Sequence, residues 1–262
     1  MGLQCSCCCL KSSPAPKDFH ILLLGASGSG KTELGHRLRN TPRPADDQDA
    51  TNGVRCFEVL PVAFPDFQLQ LTEVGGNPEM QRLWHHYFAS SHALIYCFDL
   101  SQRPEELDDT FRLLRTVLQD PQMSGKPVLL VASRYCDGVQ LYDVANSFGL
   151  DHLATSCGCP LLICDMDDPE DLQRGFRWLC HQFAVSESQL EQRVRYDVNM
   201  KAWQQRRKLI LTAGKLAQIH RHRFRRQHRK LWPSNEASSG RPSTAPPNIF
   251  FIRPPDTEEE HP

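Results

Sequence analysis

Eight consecutive residues carry the clearest chemistry in this 262-residue chain: Gly25, Ala26, Ser27, Gly28, Ser29, Gly30, Lys31 and Thr32. They fit the pattern Gly-x-x-x-x-Gly-Lys-[Ser/Thr]. Glycines let backbone N–H groups converge on phosphate oxygens. A helix that starts where the loop ends adds its partial positive charge. Lys31 can reach β- and γ-phosphates, and the Thr32 hydroxyl can ligand Mg²⁺. A Gly/Ser-rich turn without a ligand is the competing reading. It is weakened by the context, because the pattern has its meaning between a strand and a helix. The apolar run His-Ile-Leu-Leu-Leu at 20–24 fits a buried strand, and 33–38 fits the first helix.

A second chemical cluster follows the strand-like run 67–72. Glu73 is followed by Val74, Gly75, Gly76 and Asn77. An acidic residue and then glycines, after a strand, is where a nucleotide-dependent switch should begin. Met80, Leu83, Trp84 and Phe88 then mark a short amphipathic helix.

Further elements must position these groups. Residues 54–63 and 67–72 read as strands joined through Pro61 and Pro65. Residues 93–99, 127–132 and 160–164 are three more apolar, strand-like runs. Leu107, Phe111, Leu114 and Leu118 lie at helical spacing, as do Leu172, Phe176, Leu179 and Phe183. Strands alternating with helices predict an α/β protein of the P-loop NTPase type. Its sheet should be mainly parallel, with helices on both faces. The expected organisation is a flexible tail at 1–18, a nucleotide-binding domain at 19–185, a basic helical extension at 186–232 and a disordered tail at 233–262.

Charge supports that division. The net charge is -1, yet residues 191–230 hold 13 Lys or Arg against two acids. A basic segment beside an acidic domain points to an anionic partner or surface. No run of 18 apolar residues indicates a membrane-spanning helix, and the start lacks the pattern of a signal peptide. A cytosolic, reduced chain follows, so the 11 cysteines do not read as a disulfide framework.

The first residues offer lipid attachment. Gly2 with Ser6 fits the myristoylation pattern, and Cys5, Cys7, Cys8 and Cys9 are candidates for palmitoylation. One acyl chain binds membranes only marginally; two make the attachment stable. A tail of reactive thiols and a metal site are the alternatives. Adjacent cysteines make a poor closed tetrahedral site.

The chain resembles the Arf-like branch of the small GTPases over residues 20–184. The residues that carry this are the phosphate loop, Gly75-Gly76, and the run Leu83, Trp84, His85, His86, Tyr87, Phe88. Gly175, Trp178 and Leu179 match the family's last-helix pattern. The resemblance implies GTP/GDP and Mg²⁺ as ligands. Thr51, in Thr-Asn-Gly at 51–53, takes the first-switch position that ligands Mg²⁺; a plain loop residue is the alternative. Lys31 and Asn77 take the catalytic positions, Thr32, Thr51 and Glu73 the metal positions, and Gly76 the switch glycine.

Several positions depart from the family. Glu73 stands where the family has Asp. Asn77 stands where Gln orients the attacking water; its amide reaches one methylene less. In a reaction governed by placement, an error near 1 Å can cost ~100-fold, so slow turnover is expected. The base-reading Asn-Lys-x-Asp is replaced by Ser133, Arg134, Tyr135 and Cys136, with Asp137 one position late. Arg134 can stack its stem over a base, and Asp137 can substitute if the loop bulges. Asp165, Met166 and Asp167 occupy the later base segment. Within the family the layout is similar to a cilium-linked group with palmitoylated N-terminal cysteines and a helical extension. This chain shares Ser124, Gly125, Lys126 and Pro127 with it, and has Cys157 and Cys159 before the last strand. Those two cysteines read as structural rather than metal-binding.

Residues 186–232 read as helix, interrupted only by Gly214, with a ragged apolar stripe. A solvated face with partner contacts, an anionic-lipid contact, and a calmodulin-like or nucleic-acid contact all fit a basic helix. Nucleic acid is disfavoured, since aromatic interleaving is thin and phosphate attraction is sequence-independent. The reading that follows is a membrane-attached guanine-nucleotide switch with weak GTP hydrolysis. It would work with effectors and regulators at its switch regions, on the cytoplasmic face of membranes such as the ciliary membrane. The alternative is a catalytically inactive pseudo-GTPase scaffold. A P-loop kinase would need a basic substrate lid, and residues 75–132 offer none.

Overall fold

The computed structural model describes residues 17–41, 53–134, 138–212 and 214–231. Six strands form one sheet: β1 (Lys17–Gly25), β2 (Val54–Val59), β3 (Phe67–Val74), β4 (Ala93–Asp99), β5 (Val128–Ser133) and β6 (Leu161–Asp165). Their order is β2-β3-β1-β4-β5-β6. Only β2 runs antiparallel to its neighbour. The mainly parallel sheet expected from the sequence is therefore present.

The continuous apolar runs are explained by two cores. Along β1, Ile21 and Leu23 face one core, with Leu34, Leu179 and Phe183. Leu22 and Leu24 face the other, with Trp84, Phe111 and Leu130. A strand buried on both faces has no polar side to show.

Helices cover both faces. They are α1 (Lys31–Leu38), α2 (Pro78–Gln81), α3 (His85–Phe88), α4 (Pro104–Leu118), α5 (Leu141–Ser147), α6 (Leu150–Cys157), α7 (Pro169–Thr212) and α8 (Lys215–Leu231). Two differences from the sequence expectation matter. The single amphipathic helix after Gly76 is two short helices, α2 and α3, separated by a turn at residues 82–84. Between β5 and β6 lie α5 and α6, which no strong periodicity had marked.

Helix α7 continues past the last turn needed to close the domain. Only Ser186 departs from helical geometry, at φ -112 and ψ 16. Beyond it Leu190 is buried, and so is the carboxylate of Asp197. Arg193 donates to Asp197 at 3.0 Å, and Lys17 pairs with Glu187 at 2.5 Å. One compact unit extends to Arg207. The second unit begins at Lys208 and contains α8, whose sequence holds seven Lys or Arg and no acid. Gly214, at φ 65, lies between α7 and α8. Among the described residues no helix is long and apolar enough to cross a membrane.

His92 marks the opposite end of the sheet from the phosphate loop. Its Nδ1 accepts from His20 N at 3.0 Å, and its own N donates to His20 O at 2.7 Å. Burial, with His20 and Lys126 nearby, pushes its imidazole down to about 4. The unfolded chain therefore takes up this proton first as pH falls. The group costs nothing at pH 7, begins to subtract stability below about 6.5, and subtracts roughly 3 kcal/mol by pH 4. Thermal melts from pH 7 to 4.5 should show a shallower fall for His92→Asn than for the wild type.

Candidate nucleotide-binding site

The site grows from the end of β1. The strand stops at Gly25 and α1 begins at Lys31, so residues 26–30 turn the chain over the sheet's carboxyl edge. Gly30 caps α1 at φ 84 and ψ 10, a left-handed geometry that a Cβ would penalise. Lys31 is buried, and its Nζ donates to Gly25 O at 3.0 Å and Ala26 O at 2.8 Å. The ammonium thus sits inside the loop formed by Gly25, Ala26, Ser27, Gly28, Ser29 and Gly30. Ser133, at the end of β5, has its hydroxyl oxygen 3.1 Å from Ser29 O and 3.2 Å from Phe98 O, so its single proton is shared between the two carbonyls. It ties the loop to the sheet.

The switch residues converge on the same loop. Thr32 Oγ1 donates to Glu73 Oε1 at 2.6 Å, and Glu73 is 1% exposed. A hydroxyl and a buried carboxylate beside a phosphate loop suit Mg²⁺, which takes few protein ligands and keeps oxygen partners. Among the described residues no group of three His, Cys, Asp or Glu forms a separate metal site. Gly76 packs on the loop's backbone. A Cβ there would stand 2.4 Å from Gly25 O and 2.5 Å from Ala26 C. Gly75 donates to Gly53 O at 2.9 Å and accepts from Trp84 Nε1 at 2.9 Å. Trp84 is itself buried at 1% exposure.

Asn77 holds the turn that follows Gly76. Its Oδ1 accepts from Met80 N at 2.7 Å, which makes it the N-cap of α2 ahead of Pro78. Gln81 Nε2 donates to Gly76 O at 2.8 Å and reinforces the same turn.

Beside the loop, next to Ser133, lies a cavity of 190 Å³ lined by Gly28, Glu33, Arg37, Ser133, Arg134 and Asp167, among others. Arg134 adopts φ 52 and pairs with Asp99 at 2.6 Å. Asp99 also accepts from Ser101 N at 2.9 Å and Ser101 Oγ at 2.7 Å. Arg37 meets Asp167 at 3.2 Å and Glu33 at 3.0 Å. Asp99 and Arg37 were not singled out from sequence. Asp99 closes an apolar strand, and that position was the available signal. A larger cavity of 760 Å³ lies on another side of α1, near Leu38, Phe64, Leu172 and Cys180.

The remaining sequence candidates divide cleanly. Thr51, Asp137, Gly2, Cys5, Cys7, Cys8 and Cys9 lie outside the described residues. Cys157 and Cys159 are buried, and Cys159 Sγ lies 3.5 Å from Met123 O. Burial pushes the Cys97 thiol, under the phosphate loop, up to about 12.

A phosphate loop on the carboxyl edge of this sheet, with a Gly-Gly turn packed against it, defines a P-loop protein of the small-GTPase type. A sequence profile of the ADP-ribosylation factor family matches residues 8–183, and the chain belongs to that family. It is similar to human ADP-ribosylation factor-like protein 15, at 27% identity over 174 residues, covering 66% of this chain and 83% of that protein. The bovine protein of the same name is 27% identical, with 84% of it covered. Among solved structures, the Arl6 (BBS3) small GTPase of Trypanosoma brucei with bound nucleotide analogue GppNp shares the fold. Its TM-score is 0.54 at 18% identity, covering 64% of this chain and 99% of that one. Fold and family together support a GTP-binding switch function, and the family implies GTP/GDP and Mg²⁺ as ligands.

Gly76→Ala tests the close approach. The added methyl has no space against loop backbone, so the Gly75–Gly76 turn must move off the loop. Thermal unfolding should fall by several degrees, and nucleotide affinity measured by calorimetry should drop at least tenfold.

Proposed function

We propose that this chain is a membrane-attached, guanine-nucleotide-dependent switch whose intrinsic GTP hydrolysis is weak. The observation that carries this reading is the packing of Gly76 against the backbone of Gly25 and Ala26. A γ-phosphate in the loop must meet this turn, so the turn can report its presence. Residues 25–32 would cradle the phosphates, and Lys31 would stabilise their charge. Thr32 and Glu73 would hold Mg²⁺ together with Thr51, and the metal would neutralise charge between the phosphates. Ser133, Arg134 and Asp137 would bound the base. Effectors and regulators would read the segment that follows Gly75.

The proposed organisation keeps the tail at 1–18, the switch domain at 19–185, the helical extension at 186–232 and the tail at 233–262. Acyl groups on Gly2 and on some of Cys5, Cys7, Cys8 and Cys9 would hold the chain at the cytoplasmic face of a membrane. The basic α8 would add attraction to anionic lipid. The combination of such a tail and extension favours the cilium-associated branch and a ciliary membrane.

Calorimetry of the full chain with GTP, GDP and ATP tests the binding claim. Mg²⁺-dependent binding of GTP and GDP, lost in Lys31→Ala, is expected; no Mg²⁺-dependent binding to any of the three overturns the reading.

One observation favours a second reading, an inactive scaffold. The Asn77 side chain caps α2 through Met80 N, which holds its oxygen to a structural task. Under the switch reading, single-turnover hydrolysis should be slow but above the protein-free rate. Asn77→Gln should raise it about tenfold by restoring reach, at a capping cost of about 1 kcal/mol in stability. Rates equal to the protein-free reaction in both proteins would establish the scaffold.

A further inference from the structure

Residues Arg193, Asp197 and Lys201 of α7 make contacts at the end of the segment that follows Gly75. Residues 75–91 run from the phosphate-loop edge of the sheet to the start of β4 at the opposite edge. β4 is seven residues long, so this path crosses roughly 20–24 Å. At the far end two carbonyls of α3 accept from lysines of other elements. Lys126 Nζ donates to Phe88 O at 2.7 Å and is 0% exposed. Asp197, on the distal part of α7, lies 3.7 Å from the same ammonium and is held by Arg193 at 3.0 Å. Arg193 also donates to Pro121 O. One turn further, Lys201 donates to His86 O at 2.5 Å.

A continuous set of contacts therefore links the phosphate loop to α7. Gly76 rests on Gly25 and Ala26. The carbonyl of Gly75 accepts from Trp84. Trp84 and Phe88 share one core, and the α3 carbonyls accept from Lys126 and Lys201.

The chemistry of the far contacts makes the docking conditional. A helix packed by leucines alone tolerates small shifts of its neighbour. Buried charges do not, because losing a partner leaves an uncompensated charge in low dielectric. Burial already pulls the Lys126 ammonium down to about 8, with Asp197 opposing that change. Lys126 and Lys201 donate to the α3 carbonyls of Phe88 and His86, and Phe88 O also accepts from Ser91 Oγ at 3.0 Å. If α3 shifts, these ammonium groups lose their acceptors and α7 loses its seat.

We infer that residues 190–207 of α7 are an internal reader of the switch segment, seated by Lys201 on the carbonyl of His86 and by Asp197 on Lys126, which itself holds the carbonyl of Phe88. The inference rests on the nucleotide-switch reading and extends it. The nucleotide state acts on Gly76, passes through Trp84 to α3, and sets how firmly the distal helix is held. Coupling of this kind is reciprocal: the helix contacts must also bias the relative affinity for the two nucleotides.

Hydrogen exchange of the full chain, saturated with GDP or with a non-hydrolysable GTP analogue and Mg²⁺, tests this. Protection over residues 190–207 should differ at least fivefold between the two states. Lys201→Ala, a change at the rim that spares the buried pair, should shrink that difference. It should also alter the ratio of the two affinities by a factor of about 3–10. Asp197→Asn should act in the same direction and more strongly; if it unfolds the protein, Lys201→Ala alone decides. Equal protection in two nucleotide-saturated states overturns the inference and leaves the switch reading standing. A Lys201→Ala protein with lower thermal stability but an unchanged affinity ratio marks a passive buttress and also overturns it. A chain that binds neither nucleotide removes the switch reading and this inference together.

Discussion

The structure depends on one backbone approach. Gly76 lies so close to Gly25 and Ala26 that no side chain fits between them. The phosphate loop and the switch turn are therefore one packed object. The parallel sheet creates this arrangement. β3 and β1 run side by side, so the carboxyl end of one brings Glu73 and Val74 beside the carboxyl end of the other. Ligands of open α/β sheets bind outside these strand ends. Glu73, buried at the end of β3, can meet Thr32 at the first turn of α1 for the same geometric reason.

Polar satisfaction explains how the departures from the family pattern are accommodated. Ser133 anchors the phosphate loop to β4 rather than reaching outward. Arg134 turns to Asp99, and Asn77 turns to Met80. Ser133, Arg134 and Asn77, which the sequence offered for base reading or water placement, each have a structural partner nearby. Buried polar groups that lack a partner cost about 1–3 kcal/mol each, and among the described residues no buried side-chain nitrogen or oxygen lacks one.

Helix α7 combines two roles in one element. Its first half closes the sheet with Leu172, Leu179 and Phe183. Its second half keeps Leu190 in the same core and then replaces apolar contacts by charge at Asp197 and Lys201. The change is gradual along one helical face, since 190, 197 and 201 are spaced by seven and four residues. Core packing gives way to contacts that depend on the position of α3, and the chain then passes into the strongly basic sequence of α8.

The sequence alone determined the class of fold and the phosphate loop. Both are local in origin: residues 25–32 form a contiguous motif, and two-sided strands must be apolar throughout. It also pointed to Glu73 and Gly76, which stand at the end of an apolar strand-like run, and the family resemblance added Asn77. Tertiary structure decided what those residues touch. Asn77 is a helix cap because Pro78 starts α2 immediately after it, and the split into α2 and α3 follows from the turn at 82–84. The task of Ser133 was hidden, since its partners Ser29 and Phe98 are 104 and 35 residues away. Lys126 and Asp197 were equally hidden. A lone lysine before a strand and a lone aspartate in a basic helix look like solvated charges until folding places them 3.7 Å apart. Contacts between distant segments are set by how the helices cross the sheet, and no local pattern of residues encodes that crossing.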